Sequence, residues 1–119
     1  LNLEEFIESK LKDSCYLVRL STGELLLSLI VSKTESVLSI AFPYEILDTA
    51  LVPFCHFSST RIFDISLMAI QFVKKPKDKM VDKFFEYVMK QSKEEFRMFA
   101  EPILASHNEE LSSEGHTIH

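Results

Sequence analysis

The sequence has no tryptophan and, in 119 residues, only two glycines, two cysteines and four prolines. With Gly23 and Gly115 alone, no glycine-rich phosphate loop can be written, because such loops need several glycines at fixed spacing. Cys15 and Cys55 are too few for a disulfide framework. Both stand in apolar, strand-like runs where a reduced thiol behaves as a small hydrophobe, so free, buried thiols are expected. Long hydrophobic runs are missing too. The stretch from Leu25 to Val31 is far short of the roughly 20 residues that cross a bilayer. The start, LNLEEF, lacks the basic-then-apolar layout of a secretory signal. These absences point to a cytoplasmic protein with no membrane partner. Cationic side chains are in deficit, with a net charge of -5, which argues against a broad electrostatic footprint for nucleic acid. One basic cluster stands out, Lys74, Lys75, Lys77 and Lys79, readable as a solvated linker or as a phosphate-contacting patch.

Catalytic signatures are equally scarce. Ser21, Ser28 and Ser39 have no nucleophile elbow around them, and the histidines are concentrated outside the apolar runs. Cys55 and His56 are metal-ligating types, yet neighbours on a strand point to opposite faces and do not share an ion. Glu4, Glu5 and Glu8 are better explained by helix capping and solubility than by acid-base work. Neither an enzyme nor a cofactor nor a metal is expected.

What is present is a change of period. Leu3, Phe6, Ile7 and Leu11 recur at helical spacing, with Asn2 placed to cap, predicting a short helix over Leu3 to Lys12. Cys15 to Leu20 then alternates and ends in Ser-Thr-Gly, a turn composition. A second strand is predicted over Leu25 to Ser32. A third carries Leu38, Ile40, Phe42 and Tyr44 at strict period two, with Pro43 marking its end and Phe42 and Tyr44 as candidates for exposure. After a less patterned link from Glu45 to Val52, Phe54 to Phe57 predicts a fourth strand and Leu67 to Val73 a fifth. From Asp78 the period is helical again, with Val81, Phe84, Phe85, Val88 and Met89 on one face and Phe96, Phe99 and Ile103 continuing it. The expectation is one domain over residues 1–106, mainly β with flanking helices, with a C-terminal helical extension from about residue 77 and a polar, turn-rich tail over residues 107–119.

The run Tyr16-x-Val18-x-Leu20-Ser21-Thr22-Gly23, the long apolar strand after it, the third strand Val37-Leu38-Ser39-Ile40, Phe42-Pro43-Tyr44 and Pro53-Phe54 together resemble the Sm and Sm-like family, which includes Hfq. They resemble in particular the small Sm-like proteins of large tailed marine phages, which would make the location a host cytoplasm. The resemblance implies a strongly bent, five-stranded antiparallel sheet, an open barrel, with an N-terminal helix before it and a C-terminal helix after it. It implies a homo-oligomeric ring, of six or seven subunits, in which the fourth strand of one copy pairs with the fifth of the next, placing Phe54, Phe57, Met68 and Ile70 at the interface. It also implies single-stranded RNA as a partner. Lys33 and Ser36 from one turn and Ser59 and Arg61 from another would form the rim that holds it. The family's Asp and Asn near the second hairpin turn are replaced here by Lys33-Thr34-Glu35-Ser36. Its Arg-Gly pair between the last two strands is matched against Ser58-Ser59-Thr60-Arg61, and Ser28 stands where many members have a glycine. These departures set a second expectation beside the first: a non-enzymatic oligomeric scaffold or adaptor whose surface no longer recognises RNA.

Overall fold

A computed structural model of the protein describes the backbone of residues 2–117 and the side chains of residues 2–110. The chain opens with α1 (Leu3–Ser9), where the Asn2 side chain accepts from the N–H of Glu5, and Glu4 and Glu5 sit in the first turn. Phe6 and Ile7 are its buried face. The helix stops short of Lys12. Lys10 leaves helical geometry and a 3₁₀ turn, Leu11–Ser14, buries Leu11 and feeds the sheet.

Six strands follow: β1 (Cys15–Leu20), β2 (Leu25–Lys33), β3 (Val37–Leu47), β4 (Ala50–Pro53), β5 (Ile62–Ser66) and β6 (Ile70–Lys74). Two helices, α2 (Asp78–Gln91) and α3 (Lys93–Thr117), complete the described residues. Every pairing is antiparallel. The path runs β4-β3-β2-β1-β6, and β5 joins on β3, so the sheet is not closed. The β1–β2 turn needs its glycine: Gly23 has φ +111° while its N–H bonds to the carbonyl of Leu20 at 2.9 Å.

The sheet is sharply bent, and its hydrogen bonds show it. Arg19 pairs with Leu25 and Leu38 pairs with Lys33, so β1 ends and β3 begins at opposite ends of β2. A straight β2 would hold those ends about 26 Å apart. Instead both meet one short turn, Leu67–Ala69, since the N–H of Leu67 donates to Ser36 O at 2.9 Å and that of Ser21 to Ala69 O at 2.8 Å. Two peptide steps reach at most about 7 Å.

Two bulges produce this bend. Leu27 pairs with Tyr44 and Leu29 with Ala41, so Phe42 and Pro43 together oppose Ser28 alone. Further on, Ile30 pairs with Ile40 and Ser32 with Ser39, leaving Val31 as the extra residue. At the first bulge Phe42 takes φ +56°, and the buried Ser28 hydroxyl donates to Ala41 O at 2.8 Å. The outer edge of β3 also changes partner here: Phe42 N–H bonds to Arg61 O, ahead of β5, whereas Pro43 O accepts from Phe54 N–H, beyond β4.

The bulge corrects the expected face pattern. Leu38 and Ile40 pack in an inner core with Val18, Leu20 and Leu26, on the concave side of the bent sheet. Phe42 and Tyr44, expected on the same face and as candidates for exposure, are buried in the other core under the helices with Leu27, Leu29, Phe84, Phe85, Val88 and Phe96.

Other expectations are corrected as well. Phe54 to Phe57 is not a strand but a turn, with Cys55 at φ +52° and Ser58 N–H closing on Cys55 O. The strand that pairs with the first part of β3 is instead β5, Ile62–Ser66, and the supposed link from Glu45 contains a hairpin of β3 and β4 around Asp48 and Thr49. Leu67 to Ala69 is 3₁₀ rather than strand. The C-terminal helical segment is two helices broken at Ser92. Residues 107–117, read as a turn-rich tail, continue α3, while the last two residues and the side chains beyond residue 110 lie outside the described residues. Both cysteines are free, yet Cys15 alone is buried and Cys55 is exposed.

Candidate functional site

β4, β5 and β6 each have one outer edge without a strand partner, and for β5 and β6 hydrogen-bond alternation tells which groups face outward. Leu20 N–H donates to Glu24 O at 2.9 Å, towards β2. Residues two apart along a strand share a direction, so Leu20 and Val18 bond towards β2 while Arg19 and Leu17 bond towards β6. Opposite them, Phe72 and Lys74 face inward and Val73 carries outward N–H and C=O groups of β6, while Gln71 is the extra residue of a register shift between the Phe72 and Ile70 pairs. The same reasoning from Phe42 N–H to Arg61 O turns Phe63 and Ile65 inward and leaves Asp64 and Ser66 on the outer edge of β5. Between these edges lies an apolar groove of about 300 Å³, lined by Ile30, Lys33, Leu38, Leu67, Ile70 and Val73.

The four expected interface residues divide into two kinds. Phe54 and Ile70 are half-buried against the inner core, Phe54 edge-on to Phe63 with ring centroids 6.1 Å apart. Phe57 and Met68 are exposed, at 92% and 93%, the Phe57 ring lying against that of His56, and they flank β5 at opposite ends.

The expected RNA rim does not converge within one chain. Lys33 and Ser36 border the β2–β3 turn, which Thr34 closes by donating its N–H to Val37 O, and Ser36 O is held by Leu67. Ser59 and Arg61 lie before β5, a strand length of about 17 Å away. Arg61 turns to α3, its Nε 3.2 Å from Glu95. The place between the last two strands is held by Leu67, Met68 and Ala69 rather than by an Arg-containing turn.

The basic cluster instead continues a strip along the β1–β6 edge. Lys74 Nζ lies 4.9 Å from the Phe72 ring centroid and Arg19 Cζ 5.7 Å from it. Lys75 Nζ lies 4.3 Å from the Tyr16 ring and also donates to Asp13 O. Sequence reasoning kept Arg19 and Tyr16 apart from Lys74 and Lys75; pairing of β1 with β6 unites them. No local signal marks that pairing.

Burial pushes the Cys15 thiol up to about 12, slightly offset by Lys75, so this thiol is held protonated and unreactive. Burial also raises the Tyr44 phenol, against the lowering effects of a hydrogen bond with Ser92 and of the nearby Arg61 charge. Among the described residues no group of three or more His, Cys, Asp or Glu is placed to hold a metal, and no helix is long and apolar enough to cross a membrane. No protein-family model matches the chain, and no curated protein matches it.

Proposed function

We propose that this chain is an Sm-like module that assembles with copies of itself into a ring, the outer edge of β5 in one copy pairing with the outer edge of β6 in the next. The observation that carries this reading is the pair of open edges joined by the three-residue turn Leu67–Ala69 across a bent sheet. Unpaired strand edges are a liability unless covered, and head-to-tail pairing covers those of β5 and β6 with one interface and closes when the rotation between copies allows. The apolar groove beside Val73 adds side-chain burial to the backbone pairing. A ring of six or seven follows from the resemblance, and its role on this reading is that of an assembly scaffold.

Light scattering on the parent at micromolar concentration tests it, with a Val73→Pro variant beside it. The Val73 N–H faces outward, so proline there removes an intersubunit donor and leaves the bonds to β1 in place. Ile70 is the poorer choice, because its N–H already closes the turn onto Leu67 O. The expected result is a multiple of the chain mass for the parent and a single chain for the variant, with unchanged circular dichroism. A parent at monomer mass sinks the proposal.

A second reading, binding of single-stranded RNA, draws on the cation and aromatic strip of Arg19, Tyr16, Phe72, Lys74 and Lys75. Stacking platforms among cations are how single strands are held without sequence preference. Binding to short U-rich RNA should then weaken as salt rises, and a Lys74→Glu, Lys75→Glu variant should flatten that dependence. Absence of binding at low salt leaves the scaffold reading alone.

A further inference from the structure

A second groove, of about 470 Å³, opens between α1 and α2, lined by Glu4, Ile7 and Glu8 of the first helix and Phe85, Glu86 and Met89 of the second. Each of these helices packs more closely on α3 than on the other, which leaves the gap between them. None of the six residues belongs to β5, β6 or the turn joining them, so the ring pairing uses none of them. Ile7 and Phe85, both part of the core under the helices, make the floor, and the half-buried Met89 stands beside them.

The rest of the lining is carboxylate, and no cation lies among it. Glu4 and Glu86 have no ion pair among the described residues. Glu8 has Lys12 at 2.9 Å, but that ammonium is also 2.7 Å from Asp82, so one positive charge serves two negative ones. Glu4 and Glu8 stand four apart on one helix, a like-charge spacing that costs helix stability. An apolar floor inside a rim of one charge sign complements a partner of the opposite sign: the floor supplies burial, and the rim supplies orientation and selectivity.

We propose that this groove docks an amphipathic helix of a partner protein, a large aliphatic side chain entering over Ile7, Phe85 and Met89 while flanking lysines or arginines meet the three glutamates. Cations three or four positions from the entering residue share its helical face, so they reach Glu4 and Glu8 on one bank and Glu86 on the other. A strand would need an open sheet edge, and no sheet residue lines the groove. An anionic membrane surface would be repelled by the carboxylates.

The plain alternative is that the glutamates only keep two helices soluble, and one titration separates the two. The full chain, with its four methionine methyls labelled, is followed by NMR as a synthetic helical peptide is added. The peptide carries leucine at i, i+3, i+4 and i+7 and lysine beside that stripe. Two comparison peptides have glutamate for lysine or alanine for leucine. The expected result is a saturable shift of Met89, with affinity roughly tenfold or more weaker for either comparison peptide. In a Glu4→Gln, Glu86→Gln variant affinity should fall by about fivefold or more at low salt. Glu35→Gln with Glu94→Gln, the same change of net charge outside the groove, should leave it unchanged. No shift at Met89, equal affinity for the three peptides, shifts at Met68 or Met98 as large as at Met89, or equal losses in the two variants would each overturn the assignment. So would a Met89 shift on concentrating the protein without peptide, which would put a second copy in the groove. The peptide comparison uses the parent alone, so it decides the matter even if a variant unfolds.

Discussion

Replacing Phe96 with alanine tests whether α3 is part of the fold's core or an appendage. Phe96 is fully buried, its ring 5.4 Å from Phe42 of the sheet and 6.1 Å from both Phe85 of α2 and Phe99 of its own helix. It is the point where sheet and both helices meet. Burying a phenylalanine side chain removes on the order of 170 Å² from water, which at about 25 cal/mol per Å² is worth roughly 4 kcal/mol. Lost edge-to-face contacts and an incompletely collapsed cavity add to this, while alanine's better helix propensity returns about 0.5 kcal/mol. The net expectation is a loss of about 3 to 5 kcal/mol, a large part of the roughly 5 to 15 kcal/mol that holds a domain together. Urea unfolding followed by circular dichroism measures it. With a slope of about 2 kcal/mol per molar, the midpoint should fall by about 2 M at unchanged slope. Met98→Ala, two residues on but 76% exposed, should stay within about 0.5 kcal/mol of the parent. A Phe96→Ala loss below about 1 kcal/mol would refute the packing of α3 on the sheet.

Two further outcomes follow from burial. At neutral pH without denaturant, a small thiol reagent should modify the exposed Cys55 quickly and leave Cys15, pushed up to about 12, until the chain unfolds; two fast thiols would contradict the structure. The Tyr44 phenol is raised in the folded state, chiefly by burial, so above its ordinary value of 10.0 the unfolded chain loses that proton first and stability falls as pH climbs. Denaturant midpoints measured from pH 8 upward should decline there, and Tyr44→Phe should flatten the decline.

The order helix, strands, helix was legible because period and turn residues are local signals: Asn2 caps, Gly23 turns, and Val81 to Val88 mark a stripe. What escaped depends on contacts distant in sequence. Ile62–Ser66 is short, carries Asp64 in its middle and follows a Ser-Ser-Thr run, so it reads as loop until β3 pairs with it. Phe54 to Phe57 is apolar enough to read as a strand, but Cys55 in the left-handed region turns it. Displacing that strand misplaced the turn between the last two strands, and with it the expected partnership of Ser59 and Arg61 with Lys33 and Ser36. Arg61 meets Glu95 across 34 positions with no pattern to announce it, so that ion pair was invisible before the fold.

The bulge at Phe42 and Pro43 makes the number of residues between Ile40 and Tyr44 matter in its own right. Ile40 and Tyr44 are an even number of steps apart and would share a face on a regular strand, yet they belong to different cores. Deleting one residue from this interval would straighten the ladder and leave the aromatic side chains out of register with α2 and α3, although every hydrophobic residue needed was still present. Substitutions here change how well a space is filled; an insertion or deletion changes which space is filled. Tolerance to length change should therefore be lowest at a site that, by composition alone, looks like an ordinary strand end.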